Sequence, residues 1–369
     1  TSPRKSRNLK RCRRPEPARS ICNGAVMKQQ RHTVAILGGG SFGTALATIL
    51  ANNGHTTRLW VRDRETADAI NGDRENARYL PGAELPDTVT ALESLEDALV
   101  EAALVFLAVP SKAFPEVLRQ ARDSVAPDTA VISCTKGIHE DGFLLMSQLL
   151  RREWPHVRTG VLSGPNLARE IVEHKFTGTV IASEDPDLRT AVQDALSCSC
   201  FRVYDSPDPF GVELGGALKN IYAIATGMAS SLGVGENTRA LLITRSLAEM
   251  SRLASHLGAD PMTFLGLAGV GDLVVTCSSP LSRNYRIGQA VGEGQSVSEA
   301  LEALGQTAEG INTVTLVARR ARELGIYMPI VSGLEAILFH GYALETVISG
   351  LMQGEHNHDV EFTFQRATG

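Results

Sequence analysis

The sequence predicts an α/β chain in two parts, a doubly wound sheet domain followed by an all-helical domain. Three observations predict this organisation. A glycine-rich turn at residues 38–43 directly follows an apolar strand. Short apolar runs, typical of parallel strands buried on both faces, then alternate with helical patterns over about 200 residues. After Pro209 the strand-like runs stop and helical periodicity remains. We therefore expect one domain over residues 28–208 and a second over 209–353.

The first domain is built around the strand Thr33–Leu37 and the helical pattern that begins at Thr44. Between them, Gly38, Gly40 and Gly43 fit G-x-G-x-x-G in the strand-to-helix context that the motif requires. The first glycine allows a tight turn, the second lets a pyrophosphate approach the backbone, and the third lets helix and strand pack closely. The first N–H groups of the helix then face the phosphates. The segment predicts a Rossmann-type dinucleotide-binding domain, whereas the alternative is an ordinary glycine-rich turn.

The second strand, Thr56–Val61, ends at the charged residues Arg62 and Asp63. In a Rossmann-type domain an acid near this position favours NAD, and an arginine favours the 2′-phosphate of NADP. Arg62 therefore favours NADPH, and Asp63 weakens that inference. The alternative is that both side chains are solvated turn charges.

The later elements follow from the same patterns. Further strands are predicted at Leu104–Val109, Ala130–Ser133, Val157–Leu162, Thr179–Ala182 and Phe201–Tyr204, and helices at Leu95–Glu101 and from Pro110-Ser111 onward. In the second domain, helices are predicted at Val212–Leu232, Ala240–Leu257, Ser298–Leu304, Asn312–Leu324 and Gly333–Phe339.

Composition and the two ends of the chain restrict the class of protein. A formal net charge of −5 over 369 residues argues against a general nucleic-acid binder. No apolar run approaches the ~18 residues of a membrane helix. Residues 1–27 are basic and poor in apolar residues, so we expect a disordered leader, over-translated upstream of a true start at Met27. Residues 354–369 are expected to form a loose tail. The six cysteines include no C-x-x-C pair, which favours reduced thiols in the cytoplasm and no metal site.

Two lysines stand where chemistry is expected. Lys136 directly follows a buried strand, at the sheet edge where ligands bind in this fold, so it can meet a negative substrate or a cofactor phosphate. Lys219 lies in a helix of apolar and small residues, where poor solvation lowers the pKa of an amine and suits it to proton transfer near neutral pH. The alternatives are a surface lysine at 136 and a side chain at 219 that extends to the surface.

Three further residues are candidates for binding roles. Asp272 lies in a glycine-rich stretch and could orient a lysine or bind a hydroxyl, although a helix N-cap is the alternative. Arg283 offers a planar guanidinium for a phosphate, and Asn284 adds neutral donors. An Arg-Asn pair alone is usually a surface feature.

Taken together, the glycine motif, the candidate lysines and the segments around Asp272 and Arg283 resemble the bacterial-type NAD(P)-dependent glycerol-3-phosphate dehydrogenases. The resemblance extends over roughly residues 33–340. The resemblance implies reversible hydride transfer between NADPH or NADH and dihydroxyacetone phosphate, which gives sn-glycerol 3-phosphate for phospholipid synthesis. It also implies a cytoplasmic homodimer. The matching segments are GGGSFGTALA at 38–47, TKG at 135–137, SGPNLAREI at 163–171, GVELGGALKNIYAIATG at 211–227, ALLITRSLAEMSRL at 240–253, GLAGVGDLVVTC at 266–277, SRNYRIG at 282–288 and AEG at 308–310.

The resemblance also implies roles for individual residues. Lys219 would exchange the proton at the substrate oxygen, with Asp272 beside it, and Lys136 would contact both substrate and cofactor. Phe42 and Asn166 depart from the family, in which Trp or Tyr and Ser or Thr are common at these positions. The other implied substrate residues are Gly164, Asn166, Ser282, Arg283 and Asn284, of which the last three would hold the phosphate. The implied cofactor contacts are Gly38, Gly40, Gly43, Ser41, Phe42, Arg62, Ala168, Arg283, Thr307 and Glu309.

Two other functions remain open at this stage. A β-hydroxyacid or 6-phosphogluconate-type dehydrogenase also combines a Rossmann domain with helices and a lysine, but the Arg283-Asn284 pair and the order of the motifs argue against it. A non-catalytic NADP-binding regulator would be expected to have lost the catalytic set, yet Lys136, Lys219 and Asp272 are all present.

Overall fold

An eight-stranded sheet forms the N-terminal part of the computed structural model, which describes residues 31–304 and 309–353. The strand order is β10-β9-β8-β5-β4-β1-β2-β3, and neighbours are parallel except for the antiparallel pair β8–β9. Strands β6 and β7 form a separate antiparallel pair. The strands are β1 Thr33–Leu37, β2 Thr56–Trp60, β3 Val89–Leu92, β4 Leu104–Leu107, β5 Ala130–Ser133, β6 Ile138–His139, β7 Leu144–Leu145, β8 Arg158–Ser163, β9 Thr177–Ala182 and β10 Phe201–Ser206.

Helices cover both faces of the sheet, and further helices follow it. Seven lie between the strands: α1 Ser41–Asn52, α2 Arg64–Asp73, α3 Leu95–Leu99, α4 Phe114–Ala121, α5 Met146–Glu153, α6 Ala168–Val172 and α7 Pro186–Leu196. Within residues 209–304 and 309–353, eight α-helices come after β10: α8 Pro209–Ser231, α9 Glu236–His256, α10 Asp272–Ser278, α11 Arg283–Gly292, α12 Val297–Leu304, α13 Glu309–Leu324, α14 Pro329–His340 and α15 Leu344–Met352.

Strand β4 shows why the sheet must be covered on both sides. All four of its residues are buried, and alternate side chains enter different hydrophobic clusters. Leu104 and Phe106 join the cluster that includes α1 and α7, whereas Val105 and Leu107 join the cluster that includes α4 and α5. Because successive side chains of a strand point to opposite faces, a continuous apolar run needs a helix layer on each face.

Helix α8 is the centre of the second part. It is 23 residues long, is buried around almost its whole circumference, and packs against α10, α11 and α13 as well as against β8. A helix that is apolar all round belongs in a core. Since α8 also lies against the sheet, any polar side chain on that face is held between the two parts of the chain.

The predicted fold class is confirmed, with differences at the level of elements. Strands β1 and β5 have the predicted bounds, whereas β4 ends at Leu107 rather than Val109. Helix α1 begins at Ser41, inside the glycine motif, rather than at Thr44. The change from strands to helices falls between Ser206 and Pro209. The predicted leader 1–27 and tail 354–369 lie outside the described residues. Among the described helices, none has the length and hydropathy needed to cross a bilayer.

Candidate active site

The glycine turn has a different physical requirement at each of its three positions. Gly38 has φ +124°, and a Cβ there would lie 2.6 Å from the Ala108 carbonyl oxygen. A Cβ on Gly43 would lie 2.0 Å from the carbonyl oxygen of Gly38. A Cβ on Gly40 would meet no described atom within 4 Å. The first and third glycines are therefore required by close packing, and the second faces open space, as a pyrophosphate site requires.

This open space lies where a dinucleotide is held in such folds. Strands β1 and β4 are neighbours, and the chain leaves them in opposite directions across the sheet, so the glycine turn borders the crevice where the strand order reverses. The residues present fit a dinucleotide, because the N-terminus of α1 at Ser41 opens toward the position beside Gly40. Phe42 and Ala168 are half-buried and pack against the same hydrophobic cluster. The hydroxyl of Ser41 donates a hydrogen bond to the Tyr79 carbonyl at 2.7 Å.

The two charges after β2 have different surroundings. Asp63 is the N-cap of α2, and its carboxylate accepts a hydrogen bond from the Thr66 backbone N–H at 2.8 Å. Arg62 is exposed. Of the two alternatives that the sequence left for Asp63, the structure therefore assigns it to the turn, as a helix cap.

The two candidate lysines meet at one carboxylate. Lys136, just beyond β5, donates to Asp272 Oδ2 at 2.7 Å and to the Gly164 carbonyl at 3.1 Å. Lys219, in the middle of α8, donates to Asp272 Oδ1 and to Thr276 Oγ1, the latter at 2.7 Å. Asp272 is 0 % exposed and Lys219 is 7 % exposed, so Lys219 does not extend to the surface. Asp272 is the first residue of α10, and its carboxylate joins the two amines.

The cluster holds two amines and one carboxylate with little water. Burial lowers the pKa of Lys219, Asp272 opposes that effect, and the nearby Lys136 lowers the pKa further; the result is about 7. An amine with this pKa can both donate and accept a proton near neutral pH. With both amines protonated, the cluster carries net positive charge toward a developing oxyanion.

The predicted phosphate-binding segment lies at the start of α11. Ser282 is the N-cap, and its hydroxyl accepts from the Tyr285 N–H at 3.3 Å. Arg283 is exposed, while Asn284 is buried, and its Oδ1 accepts the Gly310 N–H at 3.2 Å. A Cβ on Gly310 would lie 2.8 Å from the carbonyl oxygen of Asn220, the residue after Lys219. The α11 N-terminus is therefore held next to the lysine-bearing turn of α8.

Glu309 connects the start of α13 to the sheet. Its Oε1 accepts the Ser111 backbone N–H at 2.8 Å, and Ser111 follows β4. A Cβ on Gly137 would lie 3.7 Å from its Oε2, which places Glu309 beside the loop of Lys136. Burial raises the pKa of Glu309, and the Ser111 hydrogen bond and the charge of Arg283 oppose that rise. Thr307 lies outside the described residues.

Asn166 offers an unused acceptor near the lysines. Its Nδ2 donates to Thr179 Oγ1 at 2.9 Å, whereas its buried Oδ1 has no hydrogen-bond partner among the described residues. Buried polar atoms normally have a partner, so this oxygen suits a donor from a bound molecule. Gly164, two residues earlier, has φ +144° and provides the carbonyl that binds Lys136.

Sequence reasoning missed Thr276. It lies one helical turn after Asp272 and contacts both Lys219 Nζ and, at 3.3 Å, Asp272 Oδ1. The i, i+4 spacing after a candidate aspartate was an available signal, because residues four apart on a helix share a face.

Family models match both parts of the chain. The model for the NAD-dependent glycerol-3-phosphate dehydrogenase N-terminus matches residues 33–189, and the model for the C-terminus of the same enzymes matches residues 208–349. The chain belongs to the NAD-dependent glycerol-3-phosphate dehydrogenase family. The family assignment does not support the β-hydroxyacid alternative, because both matching models describe glycerol-3-phosphate dehydrogenases.

Individual members of the family are similar over almost their whole length. A glycerol-3-phosphate dehydrogenase [NAD(P)+] of Alcanivorax borkumensis is 67% identical over 336 residues, which are 91% of this chain and 98% of that protein. One of Saccharophagus degradans is 55% identical over 331 residues, 90% of this chain and 92% of that protein. The crystal structure of glycerol-3-phosphate dehydrogenase from Coxiella burnetii has a TM-score of 0.84 at 38% identity and covers 88% of this chain and 99% of its own.

Proposed function

We propose that this protein interconverts dihydroxyacetone phosphate and sn-glycerol 3-phosphate with NADPH or NADH. One observation carries the proposal. A buried lysine of near-neutral pKa, Lys219, shares the carboxylate of Asp272 with a second lysine at the carboxyl edge of a dinucleotide-binding sheet. Such a cluster can protonate a ketone oxygen and stabilise the charge that develops on it, which is the chemistry that the family reaction needs.

The proton is handled by Lys219. In ketone reduction the substrate oxygen gains negative charge, and protonated Lys219 donates a proton to it. Lys136 contributes a second positive charge, and Asp272 keeps both amines in place. In the reverse direction neutral Lys219 accepts the hydroxyl proton. A bound nicotinamide dinucleotide, held by the glycine turn with Ser41, Phe42, Arg62, Ala168, Thr307 and Glu309, would supply or accept the hydride.

The substrate phosphate is assigned to the start of α11. Ser282, Arg283 and Asn284 lie together there, beside the turn of α8 that carries Lys219. Binding energy from this non-reacting end orients the ketone at the other end. Gly164 and Asn166 complete the substrate site, and the unpartnered Oδ1 of Asn166 suits a substrate hydroxyl.

Cofactor choice is proposed to favour NADPH. Asp63 Oδ1 caps α2, and Arg62 is exposed at the end of β2. An arginine at this position accommodates a 2′-phosphate. The division into domains at residue 208 stays a prediction from the change in sequence pattern. A homodimer, a cytoplasmic location and supply of glycerol 3-phosphate for phospholipid synthesis also stay predictions.

The proposal is tested by comparing substrates. Dihydroxyacetone phosphate should support oxidation of NADPH, whereas a panel of 3-hydroxyacids should not reduce NADP+ above a control without substrate. Lys219→Ala should lower turnover by ~10²–10⁴-fold, the usual range for loss of a general acid or base, with the Kd for NADPH unchanged. Faster turnover with a 3-hydroxyacid, or near-normal turnover of the variant, would contradict the proposal.

A further inference from the structure

Glu213 is a buried carboxylate that the proposed chemistry does not use. It lies on α8, six residues before Lys219, and is 2% exposed. Its side-chain hydrogen bonds within the described residues all cross from the helical part to the sheet part. Oε1 accepts the Ser147 backbone N–H at 3.0 Å and the Ser133 hydroxyl at 3.4 Å, and Oε2 lies 3.3 Å from the same Ser147 nitrogen.

Both partners of Glu213 belong to the sheet part, and one of them adjoins Lys136. Ser133 is the last residue of β5, three residues before Lys136. Ser147 is the second residue of α5, and the first N–H groups of a helix have no partner within that helix. A carboxylate is well suited to this position, because it accepts the N–H and complements the positive end of the helix dipole. Glu213 thus caps a helix of the sheet part from a helix of the other part.

The next turn of α8 lies directly against the Lys136 side chain. A Cβ on Gly216 would lie 2.5 Å from Ser163 Oγ and 3.6 Å from Lys136 Cγ. Glu213, Gly216 and Lys219 are spaced three residues apart, so they occupy successive turns of α8. Glu213 therefore holds α8 against the end of β5 and the start of α5. Gly216 lies against Ser163 at the end of β8 and against the Lys136 side chain, and Lys219 follows one turn later.

We propose that Glu213 is a positioning residue, which fixes α8 on the end of β5 and thereby sets Lys219 relative to Lys136 around Asp272. The inference rests on the proposed function of that lysine pair. The length of the Glu213 side chain is important for this role, because the side chain must extend from the α8 backbone to the Ser147 N–H of α5. A shorter carboxylate at this position would shift α8 or leave the buried Ser147 N–H without its partner.

The test separates reach from charge. Glu213→Asp keeps the charge and loses one methylene, whereas Glu213→Gln keeps the length and one acceptor oxygen. The single-turnover rate of dihydroxyacetone phosphate reduction should fall by about 10- to 100-fold in Glu213→Asp, as for a displacement of about 1 Å at an active site. Glu213→Gln should retain the rate within about 3-fold of wild type, because it preserves the spacing between the lysines. The Kd for NADPH should be unchanged in both, since the glycine turn is untouched.

Glu249 provides a matched control. It is also 2% exposed and also caps a helix, accepting the N–H groups of Ile330 at 2.6 Å and Val331 at 3.3 Å of α14. It further accepts the Tyr222 hydroxyl of α8 at 3.3 Å, so all three of these partners belong to the helical part and none to the sheet part. Glu249→Asp should lower the melting temperature as Glu213→Asp does, yet keep the reduction rate within about 3-fold of wild type.

The outcomes are distinct. Equal rate losses in Glu213→Asp and Glu249→Asp would show that loss of stability, not positioning, explains the effect, and would overturn the inference. An unchanged rate in Glu213→Asp, or equal losses in the Asp and Gln variants, would overturn it as well. If the wild-type protein does not reduce dihydroxyacetone phosphate, it is the proposed function that fails.

Discussion

Replacing Asp272 with asparagine removes the one negative charge that Lys136 and Lys219 share, at almost constant shape. The carboxylate is fully buried and accepts a hydrogen bond from each amine. Without it, two cations would face one another in a space with little water. We expect Lys219 to respond by losing its proton, because neutralisation costs less than leaving a buried charge unpaired.

The size of the effect follows from the burial of the pair. Removing one partner of a buried ion pair costs about 3–5 kcal/mol, and one pKa unit corresponds to about 1.36 kcal/mol. If most of that cost falls on Lys219, its pKa drops by roughly 2–3 units from about 7. At about pH 7.5 the protonated fraction of Lys219 would then fall by roughly 10²–10³-fold, and ketone reduction with it.

The assay is the single-turnover rate of dihydroxyacetone phosphate reduction between about pH 5.5 and about pH 8.5. Reduction needs the ammonium form of Lys219, so the wild-type rate should decline as the pH rises through about 7. In Asp272→Asn the decline should move to lower pH, and much of the lost rate should return in acid. Thr276→Val, which removes a neutral hydroxyl that contacts Lys219 and Asp272 but leaves the charges in place, should cost about 10-fold or less and shift the profile little.

A pH-independent loss in Asp272→Asn would refute this reasoning, because it would mean that Asp272 acts by geometry alone. A normal rate at about pH 7.5 would refute it more directly, since the charge would then have no influence on proton donation.

Three other perturbations test separate parts of the structure. Gly43→Ala should weaken NADPH binding by about 10-fold or more and lower the melting temperature, because its Cβ would overlap the Gly38 carbonyl. Gly40→Ala should weaken NADPH binding but leave the melting temperature unchanged. Calorimetry measures both quantities, and an equal fall in melting temperature in the two variants would contradict the packing argument. Arg62→Ala should raise the KM for NADPH by roughly 10-fold and leave that for NADH unchanged in steady-state assays; parallel changes would exclude a 2′-phosphate contact. Burial raises the pKa of Glu249 to about 7, so the folded chain binds this proton more tightly than the unfolded chain and loses stability as the pH rises from about 4.5 to about 7. Urea unfolding should show a shallower decline in Glu249→Gln, and an unchanged slope would assign the decline to other groups.

The elements predicted best were those whose signal is local. Strand β1 and the glycine motif lie within a few residues of each other, and β5 is a continuous apolar run. The secondary structure of these segments can therefore be predicted from neighbouring residues alone. Helix α2 and strand β3 were missed: β3 includes an exposed residue and so lacks the continuous apolar run of β5, and α2 has a weak apolar face with two buried residues. The antiparallel pairing of β8 with β9 could not be predicted from the sequence of either strand, because the relative direction of two strands depends on how both are placed in the sheet.

For the site, residue types and positions along the chain identified Lys136, Lys219 and Asp272 as candidates, because a lysine among apolar residues and an aspartate among glycines are unusual locally. The family resemblance implied that Asp272 lies beside Lys219, but only the tertiary structure showed that both lysines bind the same carboxylate. Asp272 is 136 residues from Lys136 and 53 from Lys219 along the chain, and no local pattern encodes a contact over such separations. The apolar neighbours of Lys219 predicted a lowered pKa, and the structure adds the opposing charges of Asp272 and Lys136, which other elements bring to it. Local sequence determines which functional groups are available. Tertiary packing determines which of these groups contact one another and how far their pKa values shift.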